Sequence, residues 1–427
     1  MVGAMQARAA SLLCCLLACL CAPASAGSLS SLGREIERAA EEGQDRELRR
    51  LVGELVKHDD EDVVDVLLEL GTEHPRDYPY RLARYHLAKS LQPAALAKLH
   101  EEAREARKLP ERLLAVDACA ARSDAGSTRA LVAALGDDEE PILRIAARAA
   151  GARRLVPAVA PLIELYARLS EDERGPSVLE RDVQAALLAI TGEQFRSAIE
   201  WRSFWAARGE GFVPPSGERK ELRATRIRPR FFGSEVISNR VVFVIDVSGS
   251  MRYSDRLERV KVQLRKLIDE LPEEARFQLI AYSGVTVGGR LPPGAPREGP
   301  LPEKIDGKRW IASSSRALRR ARERNKERAT KWLAQLKPWG STFTSEALLH
   351  AFEVKDVDQV VLLSDGRPEE YHRVTGKMLS EAAVLRRVAS MNRFRQLRVD
   401  TIGLGGRGDA FLKAVAKLTG GTFVPIQ

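Results

Sequence analysis

Three short stretches carry side chains that could act together. "VVFVIDVSGSM", Val241 to Met251, runs from an unbroken apolar series into Asp246, Ser248 and Ser250, with Gly249 between the serines. "VVLLSDG" ends the same way in Asp365 and Gly366, and "GSTFTSEAL", between them in the chain, carries Thr342. Asp246, Ser248, Ser250, Thr342 and Asp365 offer two carboxylates and three hydroxyls, all hard oxygen donors. Such a set suits Mg²⁺, which keeps several waters and needs few protein carboxylates, with Mn²⁺ and Ca²⁺ as alternatives. No base lies near Ser248 in sequence, so a serine hydrolase lacks its partner.

These donors meet only if the fold brings three loops to one rim. From Arg240 onward, apolar strands alternate with helices. "RVVFVI", "RFQLIAYS", "QVVLLS" and "RVDTIGLG" read as strands; "YSDRLERVKVQLRKLIDEL", "SEAAVLRRVASMN" and "DAFLKAVAKL" read as helices; a short "TFVPI" closes the series. The rhythm predicts an α/β domain with a doubly wound, mostly parallel sheet covered on both faces. In such sheets ligands gather at the carboxyl ends of the strands, where Asp246 and Asp365 fall, and Thr342 is expected to open a helix. A Pro- and Gly-rich insert from Gly284 to about Arg316 reads as a solvated excursion, with a contact surface as the alternative. A basic helix, "SRALRRARERNKERATKWLAQLK", is expected after it.

Residues from about Arg240 to Gln427 resemble a von Willebrand factor type A domain, and "DVSGS … GSTFTSEAL … LLSDG" resembles its metal-ion-dependent adhesion site. The resemblance implies that Ser248, Ser250 and Thr342 bind the metal through hydroxyls, while Asp246 and Asp365 act mostly through bound water. Neutral hydroxyls leave the ion's charge largely unquenched. The implied partner is a protein that presents an acidic side chain to an open coordination position.

The preceding half reads as helix after helix. "RELRRLVGELVKHDDEDVVDVLLELG" spaces apolar residues three and four apart on either side of a charged break. Ala-rich pairs such as "LLAVDACAAR" with "STRALVAALG" suggest a short HEAT-like solenoid over 28–206, with a compact bundle as the alternative. Trp201, Phe204 and Trp205 are expected to close it as an apolar cluster, and 207–239, with Pro214, Pro215 and Gly217, reads as a linker to the 240–427 domain. Residues 1–26 have the build of a signal peptide: Arg8, an apolar stretch, then Ala24-Ser25-Ala26. They imply an exported protein, periplasmic, at the cell surface or secreted, with a lipid anchor at Cys19 as an alternative to simple cleavage. Four of the five cysteines lie in this leader; Cys119, in an Ala-rich helix, is expected to be a small core residue. No later run is long enough to span a bilayer.

The formal net charge of +9 raises the question of nucleic acid. Arginines are spread along the whole chain beside many acids, and aromatics make up only 6% of residues, leaving few stacking platforms. No nucleic-acid partner is expected, although helical repeats followed by this type of domain also resemble Ro-type RNA-binding proteins. A role as adaptor subunit of a larger enzyme or assembly complex is a further alternative. "GLGGRG", Gly403 to Gly408, has dinucleotide-loop spacing but lies too late in the chain to be followed by an acidic ribose partner. "RGD", Arg407 to Asp409, is more simply a turn in which Asp409 caps the next helix. Neither a P-loop nor "HExxH" occurs, so the sequence reads as non-enzymatic.

Overall fold

The computed structural model describes residues 26–217, 220, 222, 228–284, 304–305, 309–370 and 377–426. The leader reading falls almost wholly outside these residues, as does most of the insert. Two compact units divide between Ser127 and Thr128.

In the first unit, helices α1 (Ala26–Glu41), α2 (Asp45–Leu55), α3 (Asp62–Glu73), α4 (Asp77–Lys89), α5 (Pro93–Glu105) and α6 (Leu109–Ala120) pack on near neighbours in sequence. The apolar spacing explains them. In α2, Leu48, Leu51, Val52 and Leu55 form one buried stripe at the helical period. Cys119 is wholly buried in α6. Helix α7 (Ala125–Ala134) follows.

The second unit begins helical, with α8 (Glu140–Arg153), α9 (Val159–Ser170), α10 (Val178–Thr191) and α11 (Ala198–Arg208). Ser177 caps α10 by accepting from the Glu180 N–H, and Ser197 with Glu200 forms a capping box at α11. Trp201, Phe204 and Trp205 do cluster, joined by Phe195 and Phe212 through ring contacts of 4.9 to 6.3 Å. Within 207–239, residues Arg230–Phe231 (β1) and Ser234–Glu235 (β2) pair as a small hairpin, and Phe231 packs edge-on against Phe243 in the sheet core.

Strands β3 (Arg240–Asp246), β4 (Arg276–Gly284), β5 (Lys304–Ile305), β6 (Arg309–Ser313), β7 (Arg319–Arg320), β8 (Gln359–Ser364), β9 (Arg398–Leu404) and β10 (Phe423–Ile426) build one sheet. Its order is β10-β9-β8-β3-β4-β6-β5, with β7 also on β4. The five strands from β10 to β4 are parallel to their neighbours; β5, β6 and β7 pair antiparallel. This is the expected mostly parallel α/β sheet. All seven residues of β3 are buried, which is why it reads as a continuous apolar run and not an alternating one. Val241, Phe243 and Ile245 face α12 (Arg256–Glu270) and α13 (Glu323–Ala334), while Val242 and Val244 face α14 (Thr344–Phe352), α15 (Glu381–Asn392) and α16 (Asp409–Thr419).

Two expectations need correction. The insert is not wholly a solvated excursion: Trp310, Ile311 and Ala312 are buried in β6, pairing with β4. The basic helix starts at Glu323, eight residues later than the first serine of its stretch, because Ser315–Arg322 folds back along β4 instead.

Candidate functional site

Strand β3 ends on Asp246, and its backbone leaves the sheet through the 3₁₀ turn Gly249–Asp255. Strand β8, parallel to β3 and adjacent to it, ends one residue before Asp365. The chain departs from β3 toward β4 on one side, while β8 lies on the other, so this rim is the topological switch point of the sheet.

Asp246 is fully buried, with 0% of its surface exposed. Its Oδ1 accepts from the Ser248 N–H at 2.7 Å; its Oδ2 accepts from the Ser364 hydroxyl at 2.5 Å and from the Tyr282 hydroxyl at 3.4 Å. Burial pushes its carboxyl up to about 6, with the Asp365 charge adding to the rise and the Ser364 and Ser248 hydrogen bonds opposing it. Burial likewise drives the Tyr282 phenol well above its usual value, keeping it a neutral donor. Ser248 Oγ lies 3.1 Å from Ser250 Oγ, and Ser250 donates to Asp365 Oδ1 at 2.7 Å. Arg256, at the start of α12, donates to Asp365 Oδ2 at 2.5 Å.

Thr342 arrives on a third loop. Its carbonyl accepts from the Glu369 N–H at 2.7 Å, and a methyl placed on Gly366 would stand 3.8 Å from its Oγ1, so Thr342 borders the Asp365 loop. Helix α14 begins at Thr344, two residues later than expected, with Phe343 at the N-cap. Gly340 fixes this loop: its φ is +71°, and a Cβ there would lie 2.1 Å from the Gly284 carbonyl oxygen. Its own carbonyl accepts from the Gly249 N–H at 2.8 Å, joining the loop to the turn after β3. Behind the rim, Glu370 accepts from the Ser345 N–H at 2.5 Å, holding the first turn of α14.

All five sequence-derived donors therefore meet at one rim. Among the described residues no group of three or more His, Cys, Asp or Glu is placed to hold a metal. The donor set here is instead two carboxylates with three hydroxyls, and its oxygen chemistry fits a hard divalent cation. Sequence reasoning missed Ser364, Tyr282 and Arg256. Ser364 stood in the quoted strand, but a serine at a strand end carries no signal by itself, and nothing local links Tyr282 or Arg256 to the aspartates.

The discounted glycine stretch forms the turn from β9 into α16, with Gly405 and Gly406 at positive φ. Asp409 is the first residue of α16 and does not cap it; Gly408 occupies the N-cap. No helix among the described residues is long and apolar enough to cross a membrane.

Residues 241–367 match the family model of the von Willebrand factor type A domain. The chain is 27% identical over 219 residues, 48% of its length, to von Willebrand factor A domain-containing protein 3B of Homo sapiens, and 27% identical over 199 residues, 45% of its length, to protein 3A of the same organism. It is 28% identical over 153 residues, 32% of its length, to inter-alpha-trypsin inhibitor heavy chain H4 of Sus scrofa. The match covers 14% of each of these three relatives. Among solved structures, the von Willebrand factor type A protein from Catenulispora acidiphila aligns at 22% identity and a TM-score of 0.34, over 45% of this chain and 40% of that one. The C-terminal α/β unit is thus of the von Willebrand factor type A kind, a domain that commonly serves as a protein-interaction module.

Proposed function

We propose that this chain is a non-enzymatic binding protein working outside the cytoplasm, in which a divalent cation, Mg²⁺ first, captures an acidic side chain of a protein partner. The helical region is its platform. The observation that carries this reading is the convergence of Asp246, Ser248, Ser250, Thr342 and Asp365, from three separate loops, on the switch point of the sheet. Ser248, Ser250 and Thr342 would hold the ion through hydroxyls, with Asp246 and Asp365 acting mostly through water. When bound, the cation supplies a positive charge that neutral ligands leave largely unquenched. Export is supported by the leader-like sequence of residues 1–26.

The protein's own groups prepare the rim. Ser364 and Tyr282 hold the Asp246 carboxylate from behind, so its position does not depend on the ligand. Ser250 and Arg256 do the same for Asp365. Titration calorimetry should detect saturable Mg²⁺ binding to the full chain that Asp246→Ala abolishes, with an unchanged far-ultraviolet circular dichroism spectrum. Wild-type Mg²⁺ affinity in the folded variant would end this reading.

A further inference from the structure

The basic stretch after the insert takes no part in the oxygen-donor rim. From Arg316 to Lys331 it holds eight Arg and Lys against Glu323 and Glu327. Its first part is pinned to β4 along its length. The Ser314 N–H donates to the Leu279 carbonyl at 2.9 Å, and the Leu279 N–H donates back to Ser314 Oγ at 3.0 Å. Gln278 Nε2 donates to the Ser315 carbonyl at 2.6 Å, and the Ala321 N–H donates to the Ala275 carbonyl at 2.7 Å. Between these anchors β7 lies antiparallel to Arg276 and Phe277. A segment tied down in this way has its backbone on a set path, from which Arg316 and Arg319 extend into solvent.

The fold-back and α13 line a solvent-open cavity of about 270 Å³ with Ser314, Ser315, Arg316, Arg319, Asn325 and Arg328 on its walls. Among the described residues no carboxylate lines it, and none pairs with Arg316, Arg319 or Arg328. The three guanidinium groups are exposed to solvent and border one small space, which leaves their donors open to an anion. Their planar forks match the oxygens of a tetrahedral oxyanion. Ser314, whose Oγ accepts from Leu279, keeps its own hydroxyl proton for a further bond. The one aromatic in the wall, Phe277, is 2% exposed and offers no stacking platform to a base. The volume suits a phosphate with at most a small substituent.

We propose that this cavity is a metal-independent site for a phosphate dianion, either free or as the monoester of a small organic carrier. It is separate from the Asp246 rim. Phe277 lies at the start of β4 and Tyr282 near its end, about 16 Å apart at the rise of a strand.

The test titrates the full chain with inorganic phosphate and, in a second arm, glycerol phosphate, by calorimetry in EDTA at fixed ionic strength. Saturable one-to-one binding is expected, weakened about tenfold by Arg319→Gln and by Arg328→Gln, less by Arg328→Lys, and unchanged by Asp246→Ala. Tighter binding of glycerol phosphate would assign the organic carrier, and equal binding the free anion. Three results would each overturn the proposal: no saturable heat with either probe; an equal loss in Arg324→Gln, whose side chain lies off the cavity; or a single-stranded RNA oligonucleotide that binds more tightly than either probe and survives Arg319→Gln with Arg328→Gln.

Discussion

Arg256 brings a positive charge to the rim from outside the donor set. Its guanidinium lies 2.5 Å from Asp365 Oδ2, and it packs over the backbone of Gly405, where a Cβ would meet it at 2.4 Å. The pair orders Asp365, but it also places a fixed positive charge beside the spot proposed for a dication. Because Ser250 already holds the other carboxylate oxygen at 2.7 Å, the added charge is expected to count for more than the ordering. Arg256→Gln should therefore tighten Mg²⁺ binding by about threefold to tenfold at low salt, and the gain should shrink as salt screens the charge. Calorimetric titration of the variant at two ionic strengths checks both statements. Weaker binding in the variant would show that the guanidinium acts mainly as a support for Asp365.

At the scale of elements, the rim depends on how one loop passes another. The segment before α14 crosses the end of β4 so closely that Gly340 admits no side chain: its φ is left-handed and the Gly284 carbonyl fills the space a Cβ would need. Ser283 donates to the Trp339 carbonyl at 2.5 Å, and the Trp339 N–H donates to the Val247 carbonyl at 2.7 Å, so the loop is stitched to two strand ends at once. Gly340→Ala must shift the backbone that carries Thr342 two residues on. Chemical denaturation should show a loss of about 1–3 kcal/mol, and Mg²⁺ affinity should fall in the same variant. A stability loss with wild-type metal affinity would mean that the loop relaxes without moving Thr342.

At the scale of the second unit, the base of the sheet is tied to the helices that precede it. Asp358, 2% exposed, accepts from the Ser238 hydroxyl at 2.6 Å and from the Val178 N–H at 2.8 Å, and lies 3.4 Å from Arg240. Arg240 also reaches Glu140 in α8 at 3.2 Å, whose carboxyl burial pushes up. Helices α8 and α10 approach so closely that a Cβ on Gly151 would lie 2.8 Å from the Ala186 Cα. Polar contacts therefore tie α8 and the start of α10 to the base of the sheet, and α8 packs directly on α10. Asp358→Ala leaves Arg240 buried with one partner fewer and should cost the second unit about 3–5 kcal/mol, read as a lower midpoint of that unit's denaturation transition. Because Asp358 sits at the opposite end of the strands from Asp246, Mg²⁺ affinity below that midpoint should not change.

The sequence by itself determined the parallel strands and the five candidate donors, because a strand buried on both faces must be apolar throughout and the chemistry at its end then stands out against it. Asp246 and Asp365 were legible for that reason, as were the helical stripes of the first half. The edge strands β5, β6 and β7 were not, since antiparallel segments of two to five residues carry no period long enough to read. Only the tertiary structure decided that Ser364 and Tyr282 hold Asp246, that Arg256 meets Asp365 across 109 residues of chain, and that three arginines of the basic stretch share one cavity. In a chain with 68 Lys and Arg, local order cannot say which of them will face a given carboxylate or each other. That pairing is fixed by which strands lie side by side, a consequence of packing the whole sheet.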